Sequence, residues 1–519
     1  MKESGIAMMG RVMMTLALAT LLAYGAQAGE LRVYHADFSG ANPPDRVSED
    51  IPMSVDLIRA SAIAFDFRCE DLQAFSGFSL YFKSGKGWYS VGFTPRLEGR
   101  TEHMIIPVSE ITGVEGSPSG KDKISHVRFS AWNGAPVKSE VAFGNFRTLT
   151  KEEWEAPPKL DRRQMDEKMQ ADAKRLAVRI GKGGERRMMW CHSPVGLGKG
   201  QNWESSVETL KGLGFTDLIV NLCWGGISYY NSKVLTRTAD EAEAGDLLAQ
   251  CQAACRRQGI RLHVWRVCWS LGGSRTAPAD VARCRAEGRL IEFAPGEKPE
   301  IWFCPSNPTN QLQEVKAMCE LADKGVDGVH FDYIRYPGHK CCICAGCRRR
   351  FEKRIGHPVE RWPEDVLGGV LQGEWTDFRS DNISRVVRAV ASRVRAKHPK
   401  VELSAAVLRN SPLDRRSCGQ DWAKWCQEGW LDFVCPMDYT ESPVLFNGHL
   451  ARQKGFVAGV KMFPGIGLSC WQEDGGDIER LAEQIGLVRK EGLPGFTVFN
   501  FDVRCRRALD LMRKAERRK

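Results

Sequence analysis

From Arg186 onward one unit repeats: an apolar run, a loop, then a helix-forming segment. The apolar runs are Met188–His192, Leu218–Leu222, Leu262–Trp269, Gly328–Asp332, Val401–Val407, Phe433–Asp438, Val460–Ile466 and Gly495–Asn500. Helical patterns between and after them cover Trp203–Leu213, Asp240–Arg257, Gln311–Lys324, Asp377–Lys397, Asp421–Gly429, Asp477–Glu491 and Arg504–Glu516. Continuous apolar strands alternating with helices predict an α/β fold with a parallel sheet buried on both faces. The number of repeats and the length predict a (β/α)8 TIM barrel over residues 186–519. A doubly wound open sheet is the alternative. It would usually carry a Gly-rich phosphate turn after its first strand, whereas this run leads into Cys191-His192-Ser193-Pro194.

In a barrel the chemistry gathers at the C-terminal ends of the strands. The fourth run, Gly328-Val329-His330-Phe331-Asp332, has the two-residue period of a strand and puts His330 and Asp332 on one face. Gly328 permits close approach of a neighbour, and Pro337 lies just beyond, where the ladder has ended. Arg335 follows Asp332 closely, so an acid and a guanidinium meet there, either as a site or as a buried structural ion pair. The other strand ends bring His192, Asn221, Trp224, Arg266, Trp269, Asp438, Tyr439, Glu441, Trp471, Glu473, Asp474, Asn500 and Asp502 to the same rim. Aromatic faces for C–H surfaces and polar forks for hydroxyls are what sugar recognition needs. Singly, each has a bland role: His192 as a strand cap, Trp224 and Trp269 as core, Asp502 as a helix cap. No HExxH, no paired HxH on the first strand, no G-x-S-x-G and no P-loop occurs, so no metal ligand set and no cofactor is expected.

These residues resemble glycosyl-hydrolase-like family ten, a bacterial group that includes the divisome-localised glycosyl hydrolase. The resemblance rests on Asn307-Pro308 before a helix and on the run from Val326 to Pro337. His263-Val264-Trp265 is similar to the family's His-x-Trp, and Trp375, Phe378-Arg379 and Asn382 to the start of its long fourth helix. Asp421-Trp422, the run from Gly429 to Asp432, and Pro436-Met437 resemble its sixth unit. The resemblance implies a TIM-barrel glycosidase acting on envelope or extracellular glycan, peptidoglycan strands being one known substrate class. Most glycosidases need two carboxyls. Asp332 is expected as nucleophile or base, held ionised by Arg335. Asp438 is expected as general acid, with Glu441 next in line and Glu473 and Asp502 behind. The fifth run ends in Ala405-Ala406-Val407-Leu408-Arg409, with no acid. Substrate contacts are expected from His192, Asn221, Trp224, Arg266, Trp269, His330, Arg335, Tyr439, Trp471, Asn500 and Asp502. The rivals are a carbohydrate-binding protein with a degenerate barrel and a zinc enzyme built on cysteines.

Ahead of the barrel, residues 1–28 read as a secretory signal peptide. They carry Lys2 and Arg11, an apolar Val12–Leu22 core and an Ala26-Gln27-Ala28 cleavage site. The core falls short of a ~20-residue span, so an exported, periplasmic or extracellular protein without a membrane span is expected. Residues 29–150 alternate in short runs and predict a β-sandwich or jelly roll, loosely similar to the galactose-binding-like modules of secreted glycosidases. Tyr81, Trp88, Tyr89 and Trp132 stand beside glycine loops and are expected as sugar platforms or as packing. Residues 151–185 read as a helical linker after Pro157-Pro158. The net charge of +10 is spread along the chain, which gives nucleic acid no focus. The chain has 18 cysteines; most sit in apolar runs, but Cys341, Cys342, Cys344 and Cys347 cluster. A zinc site needs a second, separated pair and none stands out, so local cross-links are expected there.

Overall fold

The computed structural model describes residues 31–40, 43–95, 97–154, 161–175, 184–196, 202–238, 245–272, 276–471 and 475–516. The leader-like segment, Pro157-Pro158 and Glu473-Asp474 lie outside them. The chain divides into two compact units. One takes in the chain up to Leu72, Phe78–Ala131 and Pro136–Ala156; the other takes in Gln73–Gly77, Trp132–Ala135 and Pro157–Lys519.

The first unit carries two antiparallel sheets. The four-stranded sheet runs Arg32–Asp37, Lys138–Leu149, Ala62–Cys69, Glu102–Pro107. The five-stranded sheet runs Arg46–Val55, Ile124–Asn133, Phe75–Ser84, Lys86–Phe93, Gly113–Ser117. Alternation buries Phe65, Phe67, Phe78, Phe93, Phe129 and Phe143 as a ring cluster, with Phe67 and Phe78 4.9 Å apart. Three of the four aromatics singled out as sugar platforms or packing lie under cations: Arg128 lies 4.3 Å over Trp88, Arg46 5.0 Å over Tyr81 and Lys121 5.6 Å over Tyr89.

The second unit is built on parallel strands: β1 (Arg186–Cys191), β2 (Asp217–Trp224), β3 (Arg261–Val267), β4 (Gly328–Asp332), β5 (Glu402–Val407), β6 (Phe433–Pro436), β7 (Lys461–Met462), β8 (Gly465–Ile466) and β9 (Gly495–Val498). They pair in that order from β1 to β7. β8 pairs with β9, β9 pairs back onto β1, and Met437 bridges Gly465. The single run Val460–Ile466 is thus split at Phe463-Pro464, where proline has no N–H to give. β4 begins and ends where its alternation predicts.

Helices follow the strands. Asn307 caps the Pro308–Asp323 helix by accepting from the N–H groups of Thr309 and Asn310. Asp421 caps Trp422–Gln427, and the long Gln372–Lys397 helix packs against Pro308–Asp323. The helices Pro278–Ala286, Ser411–Cys418 and Pro443–Lys454 were not among the expected patterns. The proline of each sits in the first helical turn, where its missing N–H costs nothing. Among the described residues no helix is long and apolar enough to cross a membrane.

At the N-terminal ends of the strands Arg186 donates to Asp217 at 2.6 Å and to Glu402 at 2.9 Å, and His263 Nε2 lies 3.1 Å from Asp217. Burial alone would raise the Asp217 carboxyl, but His263 and Arg186 hold it well below the usual range. This cluster fixes the end of the sheet remote from Asp332. Gly328 belongs to it: a Cβ there would stand 2.1 Å from His263 Nδ1 and 3.0 Å from the Glu402 carbonyl oxygen. Gly328→Ala is therefore expected to destabilise the second unit by about 1–3 kcal/mol, read as a lower melting temperature. An unchanged melt would mean that the His263 ring gives way.

Candidate active site

Asp332 ends β4. Its carbonyl accepts from the Cys268 N–H at 2.8 Å, and the chain then leaves the sheet through Tyr333, at φ 51°. That turn aims the Tyr333 N–H at Asp332 Oδ1, 2.7 Å away. The side chain is 5% exposed. Burial pushes its carboxyl up to about 6, against the pull of the Tyr333 N–H, Arg335 and Trp265. Arg335 was expected to keep this acid low; burial outweighs it. No ion pair joins the two among the described residues. The guanidinium lies instead over Tyr333, at 4.9 Å, and Trp302, at 5.6 Å.

Aromatic rings line the strand ends around this carboxyl. His192 meets Trp224 at 5.5 Å and Trp265 at 5.4 Å. Trp224 leans on Tyr333 at 6.0 Å, and Tyr333 on Trp302 at 5.6 Å. Beyond β6, Tyr439 stacks on Phe499 at 5.2 Å and meets the Trp190 edge at 6.3 Å. Burial first, then the nearby Asp332 charge, raises the Tyr439 hydroxyl well above its ordinary value. The Asp332 charge is thus close enough to act on the Tyr439 hydroxyl. Asn500 Oδ1 accepts the His192 N–H at 3.3 Å and ties β1 to β9. Of this wall, sequence reasoning missed Trp265, Trp302, Tyr333 and Phe499 as site residues. Trp265, Tyr333 and Phe499 were marked only as aromatics within a few residues of a strand end, and Trp302 lies far from any strand end, in the segment before the Pro308–Asp323 helix.

Other expected residues are placed elsewhere. His330 is fully buried: Trp190 Nε1 donates to its Nε2 at 3.2 Å and its Nδ1 meets Ser404 Oγ at 2.8 Å. Burial holds it neutral, so it braces the sheet interior and is not a substrate contact. Arg266 is likewise closed off, paired to Glu314 through two hydrogen bonds of 2.7 Å and to the Gly225 carbonyl at 2.8 Å. Trp269 is wholly buried at φ 60°. Asn221 is buried and its Nδ2 donates to the Trp265 carbonyl at 3.5 Å; its Oδ1 has no partner among the described residues. Asp502 caps the last helix by accepting from Cys505 N–H at 2.8 Å, and also accepts from Ser469 Oγ at 2.6 Å.

The expected partner of Asp332, Asp438, is held by a helix. Asp438 is fully buried, and Gln453 of the Pro443–Lys454 helix donates to its Oδ1 at 2.7 Å. Burial raises this carboxyl to about 7, against Gln453, Arg409 and Arg452. Arg409 also donates to the Tyr439 carbonyl at 3.5 Å, and the charges of both Asp438 and Asp332 act on the Tyr439 hydroxyl. Two residues past β6 the chain has turned, so Asp438 meets the helix while the Tyr439 ring packs on Phe499 and Trp190. Glu441 pairs with Arg480 at 3.2 Å, and Arg480 lies 5.2 Å over the Trp471 ring. They form a separate cluster.

Sequence reasoning passed over one further buried carboxyl. Asp414, in the Ser411–Cys418 helix after β5, is raised to about 7 by burial, opposed by the Asn410 N–H, Arg409 and Arg335. Arg335 thus acts on both Asp414 and Asp332. Its distance from the end of β5 hid it. The cysteine cluster also needs correction. Cys341 donates to the Gly338 carbonyl at 3.3 Å, while Cys304 joins Cys342, Cys344 and Cys347. A recess of about 400 Å³ lined by Lys233, Lys316, Glu320, Arg393 and Lys397 lies among helix residues and has no part in this wall.

Among solved structures the chain resembles the PgaB (BpsB) glycoside hydrolase domain from Bordetella bronchiseptica, at 13% identity and a TM-score of 0.49, over 61% of this chain and 94% of that one. An exo-beta-agarase matches at 9% identity and a TM-score of 0.46, over 95% and 98% of the two chains. Alpha-L-fucosidase isoenzyme 2 from Paenibacillus thiaminolyticus matches at 14% identity and a TM-score of 0.43, over 64% and 49%. No curated protein matches the chain. The family model described as glycosyl hydrolase-like 10 matches residues 187–459, more than half of the chain, and the chain belongs to that family.

Proposed function

We propose that the parallel strands close into a (β/α)8 barrel and that the protein is an exported glycoside hydrolase acting on an envelope or extracellular polysaccharide. The observation that carries this reading is Asp332. It is a buried carboxyl raised to about 6, at a strand's C-terminal end, inside a wall of aromatic rings, in a glycosyl hydrolase-like chain. Ionised, it serves as nucleophile or as the base for water. The rings of Trp224, Tyr333 and Tyr439 supply the faces against which a sugar stacks. We assign the proton donor to Asp414 in place of Asp438. It is raised into the range a donor needs and shares the field of Arg335 with Asp332. The leader-like residues 1–28 support export.

One observation favours the rival reading, a carbohydrate-binding protein with a degenerate barrel. Among the described residues, the groups that set the Asp332 carboxyl are the Tyr333 N–H, Arg335 and Trp265, with no second carboxyl among them. The test offers denuded peptidoglycan and a panel of polysaccharides to the purified chain and measures new reducing ends. The proposal expects release from at least one polymer. Asp414→Asn is expected to slow glycosides with poor leaving groups by about 10²-fold, while activated aryl glycosides, which need little protonation, change little. Retention on a polymer without any cleavage across the panel would establish the binding reading instead.

A further inference from the structure

Four thiols converge beside the Asp332 wall from two separate loops. Cys304 lies in the segment before the Pro308–Asp323 helix. Cys342, Cys344 and Cys347 come from the segment after β4 and the start of the Ala345–Ile355 helix. All four sulfurs lie within 4.8 Å of one another, with Cys304 3.4 Å from Cys347 and 3.9 Å from Cys344. Tetrahedral zinc with Zn–S bonds of ~2.3 Å sets its sulfurs ~3.8 Å apart. A disulfide needs ~2.05 Å and joins only two. A cysteine used as a small hydrophobe meets apolar neighbours; these meet each other.

The surroundings suit a charged centre. The Cys347 N–H donates to Cys344 Sγ at 3.3 Å, where Cys344 caps its helix, and the Glu292 N–H donates to Cys342 Sγ at 3.4 Å. Ser306 Oγ lies 3.0 Å from Cys347 Sγ and 3.2 Å from Cys304 Sγ. Arg350 reaches Ser306 Oγ at 2.7 Å and Cys304 Sγ at 3.9 Å. Zinc with four thiolates carries two net negative charges, and a helix N-terminus, two backbone N–H groups and a guanidinium all favour them. The other acid–histidine group, Asp217, His263 and Glu402, already holds the Arg186 guanidinium.

We propose that Cys304, Cys342, Cys344 and Cys347 bind one structural zinc ion as four thiolates, fastening the loop that carries Trp302 to the loop that follows Asp332. Binding releases the thiol protons to solvent and leaves no open position for catalysis. Trp302 is two residues from Cys304 and packs on Tyr333, so the ion holds one side of the aromatic wall. The inference is independent of whether the wall cleaves glycan.

The test is metal analysis of the full chain purified without added metal. About one zinc per chain is expected, together with alkylation by mass spectrometry that finds these four thiols unoxidised. Cys304→Ser and Cys347→Ser should each lose the zinc and melt lower. Cys341→Ser, outside the set, should keep it. Cobalt refilled into the chelated protein should give the intense visible bands of a tetrahedral thiolate site. A wild-type chain free of zinc that refuses cobalt, disulfides among the four, iron in zinc's place, or equal zinc loss from Cys341→Ser would each overturn the proposal. The wild-type result decides even where a serine variant does not fold.

Discussion

Asp332→Asn is expected to lower turnover by about 10³-fold or more and, at neutral and alkaline pH, to raise the melting temperature. The two effects share one cause. The carboxyl is nearly enclosed and raised to about 6, above the ~3.9 of an exposed aspartate. The fold therefore penalises the ionised form. Stability contributed by this group is intact below about pH 4 and is lost as pH rises through about 6. The loss is about 3 kcal/mol at pH 8. Asparagine removes the charge and still offers Oδ1 to the Tyr333 N–H, so the variant gains most at pH 8 and little at pH 4. Activity of the unaltered chain should rise with pH through about 6, as a nucleophile or base requires. Undiminished turnover in the variant would remove Asp332 from the chemistry. Lost turnover with a melt that does not depend on pH would mean that the carboxyl is not penalised as its burial requires.

How much of this was visible beforehand depends on how local each signal is. β4 and Asp332 were legible because alternation, Gly328 and the strand's end all fall within a few residues. The order of strands was legible because each run is largely apolar and most are followed by a helical segment. Depth was not legible. His330 shares a face with Asp332 but lies two residues further down, about 7 Å, where Trp190 and Ser404 close over it. Direction past a strand end was not legible either, since the two-residue period stops there. Asp438 and Tyr439 were both expected at the site, yet Asp438 is held by Gln453 of the following helix. Partners distant in sequence leave no local mark: Cys304 completes a cluster begun at Cys342, and Asp414 meets Arg335 from another βα loop.

Arg266 was open to correction from the sequence itself, and its variants should show the largest stability effect in the second unit. On β3, Trp265 pairs in register with His330 and faces inward, so Arg266 faces out toward the helices. There Glu314 of the Pro308–Asp323 helix accepts two hydrogen bonds of 2.7 Å, and both side chains are wholly buried. Arg266→Met leaves Glu314 buried without its cation and is expected to destabilise by about 3–5 kcal/mol. Glu314→Leu strands the guanidinium, with a similar loss. The double variant buries two apolar chains of comparable volume and should recover most of the stability, because the intact pair offsets its own desolvation only in part. Thermal melts of the four proteins give the coupling directly. Two losses that simply add would mean that the pair does not act as a unit. A double variant as stable as the parent but unable to bind any glycan that the parent retains would return Arg266 to substrate binding, the role its place on β3 denies it.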